Sequence, residues 1–217
     1  MIEEPRRKSW LWWLALLDVA GVPLYAVWVI WKMPPVGSRV WIGLPIWVAV
    51  SFLIHRDAPK TLGWRADNLA SATVRASAIL GAMALGLIAI GLAFRMPIAA
   101  MARGISPKHL WNYFAFCLLQ QVALNSLIMN RLLFLTGRVW PSALVASAIF
   151  AGLHWPNPVL IPATLIAGVA MTWLFARDRN ILPLTLWQAI LGSLIAWALP
   201  IAWHHGLRVG PGYYTFH

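Results

Sequence analysis

Leu110-Trp-Asn-Tyr-Phe-Ala-Phe-Cys-Leu-Leu-Gln120-Gln121-Val-Ala-Leu-Asn125-Ser-Leu-Ile-Met-Asn130-Arg131-Leu-Leu-Phe-Leu135 is an unbroken, largely apolar run. About 20 such residues suffice to cross a bilayer as one helix. The run therefore predicts a membrane span. In its middle sit Gln120-Gln121-Val-Ala-Leu-Asn125. Adjacent polar residues are costly at membrane depth, so these must face protein or trapped water rather than lipid.

The same reading extends along the chain. Hydrophobic residues make up 61% of the 217 residues and charged residues 11%. That composition excludes an ordinary soluble domain. Apolar segments fall at 10–31, 39–54, 69–94, 110–135, 139–155, 158–176 and 181–203. They predict an all-α, polytopic membrane helix bundle of about seven spans in one membrane domain, 1–217. The second segment is short enough to be tilted, half-inserted or re-entrant. Met1–Lys8 is a charged leader, but the following apolar segment is too long for a signal peptide and has no small-x-small site. A retained anchor is expected.

The net charge of +11 reads as loop charge rather than as a nucleic-acid surface. Arg6, Arg7, Lys8, Arg56, Lys60, Arg65, Arg75, Arg131, Arg138, Arg177 and Arg179 are assigned to one side of the bundle. Lys32, Arg39, Arg95, Arg103, Lys108 and Arg208 are assigned to the other. The positive-inside rule then predicts a cytoplasmic N-terminus and an outward C-terminus in the cell's inner membrane. Tryptophans flanking the segments, such as Trp10, Trp31, Trp111 and Trp203, form an interfacial belt. The single cysteine, Cys117, excludes an intrachain disulfide and is expected to pack as a small apolar residue. The polar stretch 55–68 is expected on the cytoplasmic surface.

Three polar groups lie at membrane depth in the second half. Gln121 and Asn125 are four apart and share a helix face, whereas Gln120 is turned toward a neighbouring helix. Phe150 and His154 are also four apart, and Pro156 and Pro158 then stop the helix, leaving Asn157 to cap the break. Gln188 lies about two turns into the last span. Each group, taken by itself, reads as interhelical hydrogen bonding. Trp155 and Trp187 adjoin these groups and are candidate binding residues.

In order and spacing, these groups resemble the CPBP family of intramembrane proteases (CAAX-processing and bacteriocin-processing, Abi) over 105–200. That family carries Glu-Glu-x-x-x-Arg, then Phe-x-x-x-His, then a third helix with His and, four residues on, Asn. Here the first motif reads Gln120-Gln121-x-x-x-Asn125. The second, Phe150-x-x-x-His154, is intact. After Arg177-Asp-Arg-Asn180 the family His falls on Gln188, with Gly192 at the Asn position; a second register places Ser193 at the His position. Leu62-Gly63-Trp-Arg65-x-x-Asn68 is similar to the family's upstream linker.

The resemblance implies a glutamate that activates water, with a second glutamate and the histidines positioning it or stabilising the oxyanion. A general base must titrate, and a carboxamide does not. The chain has only two glutamates, Glu3 and Glu4, both before the first span. Of the four aspartates, Asp57, Asp67 and Asp178 are assigned to loops and Asp18 alone to membrane depth. Asp18 is expected to partner a buried donor or to face water.

The sequence therefore predicts a proteolytically inactive relative with a vestigial site at Gln120, Gln121, Asn125, Phe150, His154 and Gln188. His154, Asn157, Trp155 and Trp187 are its candidate binding residues. Such a protein would serve as a scaffold, assembly factor or accessory subunit beside other membrane subunits in the bilayer, without nucleic acid. Two alternatives stand beside it. One is an active endopeptidase in which His154 activates water, alone or with Asp18. The other is a pigment, quinone or haem binder using His154, His204 or His205. No metal or other cofactor is expected, since one histidine among carboxamides is a weak ligand set. The tail 204–217, rich in Gly, Pro and aromatics, is expected to be an ordered surface turn. Gly81, Gly86 and Gly91 in the third span, spaced five apart among small neighbours, are suited to close helix contact.

Overall fold

A computed structural model describes residues 10–32, 38–101 and 107–216. The charged leader Met1–Lys8, Arg103 and His217 lie outside the described residues. Seven principal helices follow in order: α1 (Trp10–Lys32), α2 (Gly43–His55), α3 (Leu69–Ala93), α4 (Lys108–Thr136), α5 (Val139–Gly152), α6 (Leu160–Asp178) and α7 (Leu182–Ala198). There is no strand among the described residues. By length and composition, α1, α3, α4 and α6 can each cross a membrane; α2, α5 and α7 are shorter apolar helices. The chain is thus an all-helical membrane protein.

Two of the segment boundaries move inward, and proline is the reason. The fifth helix ends at Gly152 rather than 155, before Pro156 and Pro158. The seventh ends at Ala198 rather than 203, because Leu199 is extended ahead of Pro200. α2 is preceded by a short 3-10 turn, Arg39–Ile42.

One apolar cluster runs through the bundle, from Val22 on α1 to Trp197 and Ala198 on α7, with Leu80, Leu127, Met129, Met171 and Phe175 at its centre. α5 packs along α6, and α3 along α7. On α3, Gly81 and Gly91 face Trp187 and Trp197 of α7, while Gly86 faces open space.

The 56–68 linker lies largely exposed at the surface but is tied to the bundle rather than free. Ser126 Oγ donates to Leu62 O (2.5 Å), Asn130 Nδ2 to Thr61 O (2.9 Å), Asn180 Nδ2 to Arg65 O (2.8 Å), and Ile181 N to Gly63 O (3.1 Å). Gly63 has φ +90, and a Cβ there would stand 2.8 Å from both Ile181 and Phe175. Only glycine fits this approach. Asp178 is not a loop residue either. It ends α6, is buried, and pairs with Arg75 of α3 at 2.7 Å.

Candidate functional site

The helix that carries the glutamines is irregular where it matters. α4 is α-helical to Gln121, π-helical over Val122–Met129, and α-helical again from Asn130. Such π segments recur at functional sites. Gln121 and Asn125 are fully buried, and Gln120 and Gln188 are half-buried.

Their side chains form one directed chain. Asn125 Nδ2 donates to Gln121 Oε1 (2.5 Å), Gln121 Nε2 to Gln188 Oε1 (2.6 Å), and Gln188 Nε2 to Gln120 Oε1. Gln121 Nε2 also meets the Met171 sulfur at 3.2 Å, which sets the orientation of its amide and hence the direction of the chain. At the inner end Asn125 Oδ1 is buried without a hydrogen-bond partner. Gln120 and Gln121 both reach α7 through Gln188, although they leave α4 in different directions.

Gly192, one turn beyond Gln188, receives the Tyr113 hydroxyl so closely that a Cβ there would collide with it. Ser193 is exposed and bonds only its own helix, at Ala189 O. Cys117 is buried and free.

The remaining sequence candidates are placed separately. His154 Nδ1 bonds Phe150 O (2.8 Å), and the two rings meet edge to face at 4.8 Å; His154 makes no hydrogen bond to the amide chain. Asn157 is fully buried. Its Oδ1 accepts from Val159 N and Leu160 N (both 3.1 Å), starting α6. Its Nδ2 donates to His204 O (2.7 Å) and Arg208 O (3.0 Å), holding the tail. Trp155 is exposed. Trp187 turns toward α3 and donates to Ser77 Oγ (3.1 Å). His204 and His205 are occupied within the tail. His204 contacts Leu199 O and Leu207 N, and His205 stacks on Tyr213 at 4.1 Å. Among the described residues no three His, Cys, Asp or Glu side chains converge as metal ligands.

A second polar site lies away from the amides. Asp18 of α1 is fully buried and accepts from Trp47 Nε1 (3.0 Å), Ser51 Oγ (2.5 Å) and Arg131 Nε (3.1 Å). Arg131, assigned from sequence to the loop charges, is instead 2% exposed inside α4. It also reaches Asp57 at 2.6 Å and Ser51 Oγ at 2.9 Å. His55 Nε2 stands 3.8 Å from Asp18 and lacks a hydrogen bond. None of the hydrogen bonds of Asp18 goes to Gln121 or His154. A buried arginine needs a carboxylate, and Asp18 is the carboxylate at that depth. This is the signal that pairs them.

Helices of membrane-spanning length around an internal, interhelical polar site define an integral membrane protein of the helical-bundle class. The chain belongs to the Rce1-like family, described as type II CAAX prenyl endopeptidase Rce1-like, whose match covers residues 8–194. This agrees with the CPBP resemblance and extends it through the N-terminal half. No curated protein and no solved structure matches the chain.

Proposed function

We propose that this family member binds rather than cleaves. The observation that carries the proposal is the Asn125–Gln121–Gln188–Gln120 chain. Carboxamides occupy the positions where the family carries carboxylates and a histidine, and their donors and acceptors are spent largely on one another. No member of the chain can take a proton from water near neutral pH. Asp18, the carboxylate at membrane depth that His154 could have recruited, is engaged by Arg131, Ser51 and Trp47. The working role is that of a multi-pass scaffold, assembly factor or accessory subunit in the inner membrane, with the N-terminus cytoplasmic and the shorter apolar helices α2, α5 and α7 crossing beside the four long ones.

The test is cleavage of membrane-anchored and prenylated peptides by the purified wild type, by His154→Ala, and by Gln120→Glu/Gln121→Glu. Wild-type turnover at background supports the reading. Robust wild-type cleavage that disappears in His154→Ala would sink it.

A further inference from the structure

Where α6 ends, a cleft of about 260 Å³ opens between α5 and α6, lined by Val139, Trp140, Trp173, Ala176 and Arg177. Its walls are the indoles of Trp140 and Trp173, stacked with centroids 6.4 Å apart and planes 24° from parallel. The Arg177 guanidinium lies over the Trp173 ring, 5.8 Å from its centroid. Arg177 is exposed, and so is Arg138, which directly precedes the lining residue Val139 at the start of α5. Neither makes an ion pair among the described residues. The carboxylate nearest in sequence, Asp178, is buried against Arg75. No side chain caps the start of α5, so its first amides add positive potential.

Location decides what such a cleft would take. α6 is long and apolar enough to cross the bilayer, and Arg177 is in its last turn. The cleft therefore sits where the helix leaves the hydrocarbon. Tryptophans at this depth lie among glycerol and headgroups, and arginines just beyond them meet lipid phosphates. An arginine held flat on an indole keeps its outer N–H groups free for an oxyanion. We propose that the Trp140–Trp173–Arg177 cleft binds the phosphate headgroup of an anionic phospholipid, with Arg138 as a second cation.

The experiment is native mass spectrometry of the whole protein in micelles doped with equal amounts of phosphatidylglycerol and phosphatidylcholine. The wild type retains phosphatidylglycerol preferentially. Arg177→Gln lowers that preference about fivefold, the effect of one arginine at a lipid surface, and Arg138→Gln/Arg177→Gln removes it. Arg56→Gln, an exposed arginine after α2, leaves it unchanged. Equal retention of the two lipids by the wild type would overturn the proposal. So would an undiminished preference in the double variant, or an equal loss in Arg56→Gln. Stripping of the lipid by millimolar inorganic phosphate would reassign the cleft to the free anion and overturn it as well.

Discussion

Replacing Arg131 with methionine tests the buried charge cluster. Methionine keeps most of the apolar stem while removing the charge and its donors. Asp57 keeps access to water, its side chain being 15% exposed, whereas Asp18 is fully buried. The cost therefore concentrates on Asp18, which loses its countercharge and the Nε–H donor. Breaking a buried pair from one side costs about 3–5 kcal/mol. Trp47 and Ser51 still donate to the carboxylate, so the expected loss is at the lower end, about 3 kcal/mol. Asp18→Asn/Arg131→Met removes the stranded charge and should recover at least half of it. The assay is reversible unfolding in mixed micelles across a double-mutant cycle, with a coupling of about 2 kcal/mol expected. A single variant within about 1 kcal/mol of wild type, or additive effects in the cycle, would refute the pairing as the element that joins α1, α2 and α4.

Two further outcomes follow from contacts elsewhere. Gly192→Ala drives a methyl group into the Tyr113 hydroxyl and should destabilise the fold by about 1–3 kcal/mol; Tyr113→Phe in the same chain should restore most of that in a thermal melt, and no rescue would show that the crowding lies elsewhere. His204, in the tail beyond α7, titrates below the usual imidazole value because burial disfavours its charged form. Its Nδ1 also accepts from Leu207 N, which requires that nitrogen to be unprotonated. The unfolded tail thus binds the proton more readily than the folded one. Protection of the tail is complete above about pH 6.5 and falls as the pH drops below it. Hydrogen exchange at Leu207 should follow that profile in the wild type and lose it in His204→Gln; a flat wild-type profile between pH 7 and 5 would contradict it.

The sequence made the helical class legible, because runs such as 69–94 leave no other use for their apolar surface. The family resemblance, rather than composition, grouped Gln120, Gln121, Asn125 and Gln188 with Phe150 and His154; the structure joins the four carboxamides and leaves His154 bonded locally. Other features had no local signature. Nothing in Val122–Met129 distinguishes a π-helical turn from an α-helical one. Arg131 near the end of an apolar run looks like a loop cation until Asp18, 113 positions away, is given its depth. The docked 56–68 linker was equally hidden, because Asn130 and Asn180 bind backbone carbonyls there, and carbonyls carry no sequence label. His154 lies in an intact motif, yet its bonding is local, to Phe150.

The π-helical stretch of α4 has one more consequence. The amides upstream of it are aimed at α7, and Arg131 downstream is aimed at α1 and α2. Each residue added to or removed from a helix turns everything beyond it by about 100°. Val122–Met129 therefore fixes the phase between the two polar centres. Deleting one residue of the stretch beyond Asn125, such as Leu127 or Ile128, would leave the side chains of both centres in place and swing one centre out toward lipid. The spacing along this helix is under a constraint separate from the identity of any side chain on it.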